Sequence, residues 1–148
     1  MRIAIGSDHA GFALKENLRE VLSSLGHEPF DLGCSSEASV DYPDVALPLA
    51  EAVRDGEYDL GVLICSNGVG MSIAANKVNG VRAALCHDTF SARRARQHTD
   101  ANVLCLGARA IGPGVAREIL EAFLEGQFEG GRHARRVDKI KAIEAQDP

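Results

Sequence analysis

Residues able to do acid–base chemistry gather at a few junctions of this sequence, and Cys65 stands at the most pronounced of them. The stretch 60–77, LGVLICSNGVGMSIAANK, runs from an apolar, branched segment into Cys65 and then into a small-residue loop, Ser66-Asn67-Gly68-Val69-Gly70. From Met71 onward it turns helix-like. A buried strand that feeds a Gly-rich loop and a helix start offers an anion unpaired backbone amides and the positive end of a helix dipole. A thiol placed there is more acidic than a free one, whose pKa is about 8.5, so Cys65 is a candidate thiolate or general base. The plainer alternative is packing, since cysteine is among the most buried residue types. The loop lacks both the G-x-G-x-x-G dinucleotide spacing and the G-x-x-x-x-G-K-[ST] nucleotide pattern.

Other candidates sit at comparable places. Asp8 and His9 follow the apolar run 2–6. Asp8 suits a helix cap as well as a ligand contact, and His9 suits a surface loop as well as a site. His98 belongs to the polar cluster Gln97-His98-Thr99-Asp100-Ala101-Asn102, which its polarity places in a loop before a strand. Histidine is the side chain best suited to proton transfer near pH 7. Arginines are dense at Arg93, Arg94 and Arg96 and again at Arg132, Arg135 and Arg136, within a chain of formal charge −5. Such clusters form solvated helix faces or small phosphate sites. Tyr42, one of two tyrosines, lies in a loop from which it either reaches a ligand or covers surface.

Strand, loop and helix units must position these groups. After the strand 2–6 come Leu14, Leu18, Val21, Leu22 and Leu25, spaced along one helix face that Gly26 ends. The segment 28–32 reads as an edge strand. A helix carrying Val45, Leu49, Ala52 and Val53 follows Pro43, and Pro48 is expected to kink it or delay its start. Strands at 81–86 and 103–107 alternate with helices bearing Phe90, Ala92 and Ala95, then Val115, Ile119, Ala122 and Phe123. A last helix at about 132–145 has only the thin stripe Val137, Ile140 and Ile143, which suits packing on a partner subunit. The alternation predicts one α/β domain over 1–148, with a parallel sheet of roughly five strands covered on both faces. Right-handed crossovers put the strand-end loops on one rim, where Asp8, His9 and Cys65 should meet.

Composition narrows the function classes. The 148 residues, 45% hydrophobic and 25% charged, suffice for one core. The net charge of −5 and pI near 5.5 argue against a nucleic-acid partner. No apolar run approaches the ~20 residues of a membrane span, and the first residues, MRIAIGSD, lack the pattern of a secretory signal. Cys34, Cys65, Cys86 and Cys105 show neither C-x-x-C nor zinc-like spacing, as expected of free thiols in a cytoplasmic protein.

With these residues placed, the chain resembles the ribose-5-phosphate isomerase B family, which includes galactose-6-phosphate isomerase subunits and allose-6-phosphate isomerases. The resemblance rests on GSDHAGFALK near the N-terminus, ICSNGVGMSIAANK followed by GVRAAL, SARRARQHTDANVLCLGAR, and FEGGRHARRV. It implies a Rossmann-like three-layer sandwich, assembled as a homodimer or homotetramer with active sites built from two chains. It also implies no metal or organic cofactor, and an aldose–ketose interconversion of a sugar phosphate through an enediolate, a step of the pentose phosphate pathway. By resemblance, Cys65 carries a proton between C1 and C2 and His98 assists opening of the furanose ring. Asp8 contacts sugar hydroxyls, and the amides around Gly68, Val69 and Gly70 stabilise the enediolate oxygen. His9, Arg109, Arg132 and Arg136 hold the phosphate, with His133 a weaker candidate for that pocket.

Two departures bear on this expectation. Many members have Gly-Thr after the cysteine, where this chain has Ser66-Asn67. An asparagine hydrogen-bonds but does not readily relay a proton, which leaves Ser66 or a water for that task. Thr99 stands where asparagine is common. The leading expectation is isomerisation of ribose 5-phosphate and ribulose 5-phosphate. A hexose-phosphate isomerase is the nearest rival, and a non-catalytic nucleotide-binding module or a thiol redox protein are the more distant ones.

Overall fold

A computed structural model describes residues 1–146 of the chain. The apolar runs and amphipathic stretches form β1 (Arg2–Ser7), α1 (Phe12–Ser24), β2 (Glu28–Asp31), α2 (Tyr42–Arg54), β3 (Leu60–Cys65), α3 (Val69–Ala75), β4 (Ala83–Leu85), α4 (Thr89–Thr99), β5 (Val103–Gly107), α5 (Pro113–Glu125) and α6 (Arg132–Glu144). The five strands make one parallel sheet in the order β2-β1-β3-β5-β4. β3 and β5 lie inside it and are buried along their whole length, which is why LGVLIC and VLCLG read as continuous apolar runs.

Side-chain alternation splits the core in two. Ile3, Ile5, Val62, Ile64, Leu104 and Leu106 pack under α1, α4 and α5. Ala4, Leu63, Cys65, Val103 and Cys105 face α2 and α3 on the other side. The three-layer α/β architecture is therefore as expected, and α6 lies outside it against α4.

Several boundaries differ from the sequence reading. Tyr42 is the first residue of α2 rather than a loop residue, and the helix starts there despite Pro48. Pro48 is tolerated because it sits on the exposed face, where water replaces the amide it lacks. β4 spans three residues instead of 81–86. On its outer edge the Asn76 side chain takes both the N–H and the C=O of Ala83, at 2.9 Å each, so the edge is closed by a side chain and not by another strand. Gln97, His98 and Thr99 form the last turn of α4, not a loop, and the helix ends at Asp100 with φ +48°. The N-cap of α1 is Gly11 and not Asp8.

Candidate active site

Register places the ends of the central strands side by side. Ser7 pairs with Ile64, and Cys65 pairs with Gly107. The Asp8 amide then donates to the Ile64 carbonyl at 3.2 Å, so Asp8 and His9 adjoin Cys65 on one rim, as the crossover argument required. Asp8 is buried, and its Oδ1 accepts from the amides of Ala10 and Gly11 at 3.0 and 3.1 Å. That turn brings the chain back over β3 so closely that a Cβ on Gly11 would lie 2.6 Å from the Ile64 carbonyl oxygen. The amide of Val40 donates to His9 Nδ1 at 3.2 Å, which leaves the proton on Nε2, free to point at a ligand.

The loop after β3 is built around Gly68, whose φ of +79° belongs to the left-handed region. This turn aims the Gly68 amide back at Cys65 Sγ, 3.1 Å away. Asn67 Oδ1 accepts from the Val69 amide at 3.0 Å, so the side chain acts as a cap on the start of α3. Two of the three amides expected to face an oxyanion, those of Gly68 and Val69, are thus occupied by the loop itself. The amides of Gly70 and Met71 have no acceptor among the described residues. The ring of Tyr42 lies where a Cβ on Gly70 would come within 2.7 Å, which places Tyr42 against this loop. The Ser66 carbonyl accepts from the Arg109 amide at 2.9 Å, and the exposed Arg109 side chain joins the same rim.

The remaining candidates lie elsewhere. α4 runs antiparallel to the strands and delivers His98 and Thr99 to the opposite rim, near the start of β5. From Gly61↔Val103 to Cys65↔Gly107 the sheet rises four residues, about 13 Å at roughly 3.3 Å per residue, so one chain does not join His98 to Cys65. Thr99 is committed internally, its hydroxyl donating to the Ala95 carbonyl at 2.6 Å. His98 stacks face to face on His133 of α6, with centroids 4.0 Å apart and planes 9° from parallel. Glu129 Oε2 lies 3.7 Å from His98 Nε2 and 3.5 Å from His133 Nε2. Arg132 and Arg136 are exposed on the first turns of α6, with no carboxylate partner among the described residues.

The ligand atoms of His98, Glu129 and His133 lie within 4.8 Å of one another, close enough to consider a metal. The stacking argues against one. An ion shared by two parallel rings would sit nearly 2 Å out of each ring plane, whereas a zinc–nitrogen bond of about 2.0–2.1 Å lies in the plane. Burial, then the neighbouring His98, hold the His133 imidazole below its usual pKa.

The model of the ribose/galactose isomerase family matches residues 3–140. The chain belongs to that family. It is 49% identical over 143 residues to ribose-5-phosphate isomerase B of Escherichia coli, covering 97% of this chain and 96% of that one. It is 47% identical over 148 residues to D-erythrulose-4-phosphate isomerase of Pectobacterium atrosepticum, covering 99% and 97%. Among solved structures, ribose-5-phosphate isomerase B of Clostridium thermocellum superposes over the full length of both chains with a TM-score of 0.98 at 49% identity. Ribose-5-phosphate isomerase B of Mycoplasma genitalium with bound ribulose 5-phosphate superposes with a TM-score of 0.93 at 46% identity, covering 97% of this chain and 96% of that one.

Within this family member, sequence reasoning missed Glu129 and the Val40 amide. The Glu129/His133 spacing of four was a readable signal for a pair on neighbouring turns. No signal could have found Val40, because its role is a backbone contact made by a loop 31 residues away from His9.

Proposed function

We propose that this chain interconverts ribose 5-phosphate and ribulose 5-phosphate through an enediolate, with Cys65 as the base. One observation carries the reading: Cys65 Sγ, held at 3.1 Å by the Gly68 amide, heads the loop whose Gly70 and Met71 amides have no acceptor among the described residues. Cys65 removes the proton from C2 of the open-chain aldose and returns it to C1. The C1 oxygen becomes negative in between, and amides fixed in advance on that oxygen are the largest catalytic contribution to expect. A hydroxyl proton must also move between the C1 and C2 oxygens. With Asn67 engaged as a cap, the Ser66 hydroxyl or a water is the relay. Only protons move, so the reaction needs no redox cofactor.

The Asp8 carboxylate and Tyr42 line the sugar, while His9 Nε2 and Arg109 face the phosphate. His98, Arg132 and Arg136 stand on the far rim and enter this site from a second copy, so the working unit is a homodimer, alone or paired as a homotetramer. The exposed Ile140 and Ile143 of α6 support this assembly. They border a cavity of about 570 Å³ with Val81, Ala84 and Leu85 at the β4 edge, a seat for a partner's apolar surface. No described helix is long and apolar enough to cross a membrane. The four unpaired cysteines fit the cytoplasm as the place of reaction.

The relative that acts on a four-carbon substrate favours one second reading, a tetrose-phosphate isomerase. Measuring kcat/KM on ribose 5-phosphate, erythrulose 4-phosphate and allose 6-phosphate side by side tests both. Preference for the pentose is expected, and preference for either of the others would replace the substrate named here.

A further inference from the structure

His133 is an odd residue for its position. It is 4% exposed, and a leucine would fill the space between α4 and α6 without polar cost. Its Nε2 is buried without a hydrogen-bond partner, and an orphaned polar atom of this kind calls for a reason beyond packing. What it touches is the face of His98. His98 itself is about one-third exposed, so His133 forms the floor beneath a ring that faces outward.

The surroundings make this pairing rigid. The Glu129 amide donates to the Gln97 carbonyl at 3.0 Å, which pins the segment before α6 to the last turn of α4. Gly126 lies so near α4 that a Cβ there would come within 2.6 Å of Arg96 Cβ. Glu129 Oε2 and Arg94 Nη1 flank His98 Nε2 at 3.7 and 3.4 Å. The Nδ1 of His98 has no partner among the described residues, so it is the nitrogen left for a substrate.

We propose that His133 is a positioning residue for His98: stacked against it, with Glu129 across both Nε2 edges, it holds the imbalance of polar partners on one side and presents Nδ1 for opening of the sugar ring. The inference rests on the ring-opening role given to His98 above. In that step the anomeric hydroxyl gives up its proton, the bond from C1 to the ring oxygen breaks, and the ring oxygen takes up a proton. Nothing is oxidised or reduced. One imidazole nitrogen held at a fixed angle handles both transfers, and misplacing such a group is costly in rate.

Ribulose 5-phosphate has no furanose form to open, which separates positioning of His98 from general damage. Exchange of its C1 proton with solvent deuterium needs Cys65 and the amides but no ring opening. In the full-length protein, His133→Leu is expected to lower kcat on ribose 5-phosphate about tenfold while C1 exchange stays within about twofold of wild type. His133→Phe, which keeps a flat ring beneath His98, should restore most of the lost turnover. Glu129→Gln, at an exposed position, should show the same split at about threefold even if His133→Leu folds poorly. Parallel loss of turnover and exchange in His133→Leu and Glu129→Gln, or no loss in either, would overturn the proposal. His98→Asn keeps the two readings apart. If it retains wild-type turnover, the ring-opening role of His98 is wrong; if it shows the split and the other variants do not, only the role of His133 is.

Discussion

At the scale of single residues, the site depends on which groups the fold leaves unsatisfied. Cys65 is buried and its sulfur already holds one amide, so removing it changes little packing beyond the lost thiol. Cys65→Ala should fold with an unchanged circular dichroism spectrum and lose about 10²- to 10⁴-fold in kcat, the usual worth of a positioned base. Retention of near-normal turnover would move the base elsewhere. The other cysteines are a contrast. Burial pushes the Cys86 thiol up to about 11 and raises that of Cys105 further, whereas Cys34 is partly exposed. Iodoacetamide at pH 8, followed by peptide mass spectrometry, should therefore label Cys34 well before Cys86 or Cys105. Early labelling of Cys105 would contradict the packing described for β5.

At the scale of elements, one glycine and one ion pair hold the rim in shape. An alanine at Gly68 would enter the left-handed region, at a cost of about 1–2 kcal/mol. Its Cβ would also lie 2.5 Å from Leu85 Cδ1 and 3.0 Å from the Leu106 carbonyl. Gly68→Ala is expected to lower both Tm and kcat, since relieving the clash swings the amide away from Cys65. A Tm drop with kcat intact would show that this amide is dispensable. On the other side of the rim, the fully buried Lys15 reaches Asp31 Oδ2 at 2.6 Å, tying the start of α1 to the end of β2. Asp31 Oδ1 also accepts from the Gly33 amide, and the Gly33 carbonyl holds Ser7, the residue before Asp8. Breaking a fully buried pair costs about 3–5 kcal/mol, and Asp31→Ala should cost less, because Asp31 meets water and Lys15 keeps Glu16 Oε1 at 3.1 Å. Urea denaturation should show this loss, and Lys15→Met combined with Asp31→Asn should recover part of it.

At the scale of the whole molecule, the separation of Cys65 from His98 becomes a statement about assembly. If each site takes its base from one chain and His98, Arg132 and Arg136 from another, two impaired variants should complement. Mixing Cys65→Ala with Arg136→Ala, unfolding and refolding together, creates mixed dimers in which one site carries both changes and the other carries none. At ribose 5-phosphate well below saturation, where weakened phosphate binding limits Arg136→Ala, activity after mixing should exceed that of either variant refolded alone. Failure to recover activity, with mixed dimers demonstrated by mass, would confine each site to a single chain.

Much of this arrangement is legible in the amino-acid sequence. The apolar runs at β1, β3 and β5 and the glycines that follow the helices determined a parallel α/β sheet, because a strand covered on both faces has no polar positions to offer. Being at strand ends, Asp8, His9 and Cys65 were bound to share a rim whatever the loops did. The sequence by itself also marked Gly68 as part of a small-residue loop, with Ser66, Asn67 and Gly70. Only the tertiary structure decided the rest. Polarity alone placed His98 in a loop, but α4 extends through it, because Arg82 and Arg96 bind the carbonyls that end the helix, those of Thr99, Asp100 and Ala101. That one added turn seats the imidazole on α6 instead of leaving it in a loop. The partners of Asn67, His9 and His133 are set by backbone amides and ring faces brought together by folding, and spacing along a chain records neither. Local pattern fixes what each segment becomes; which rim a side chain reaches depends on the direction in which its helix crosses the sheet.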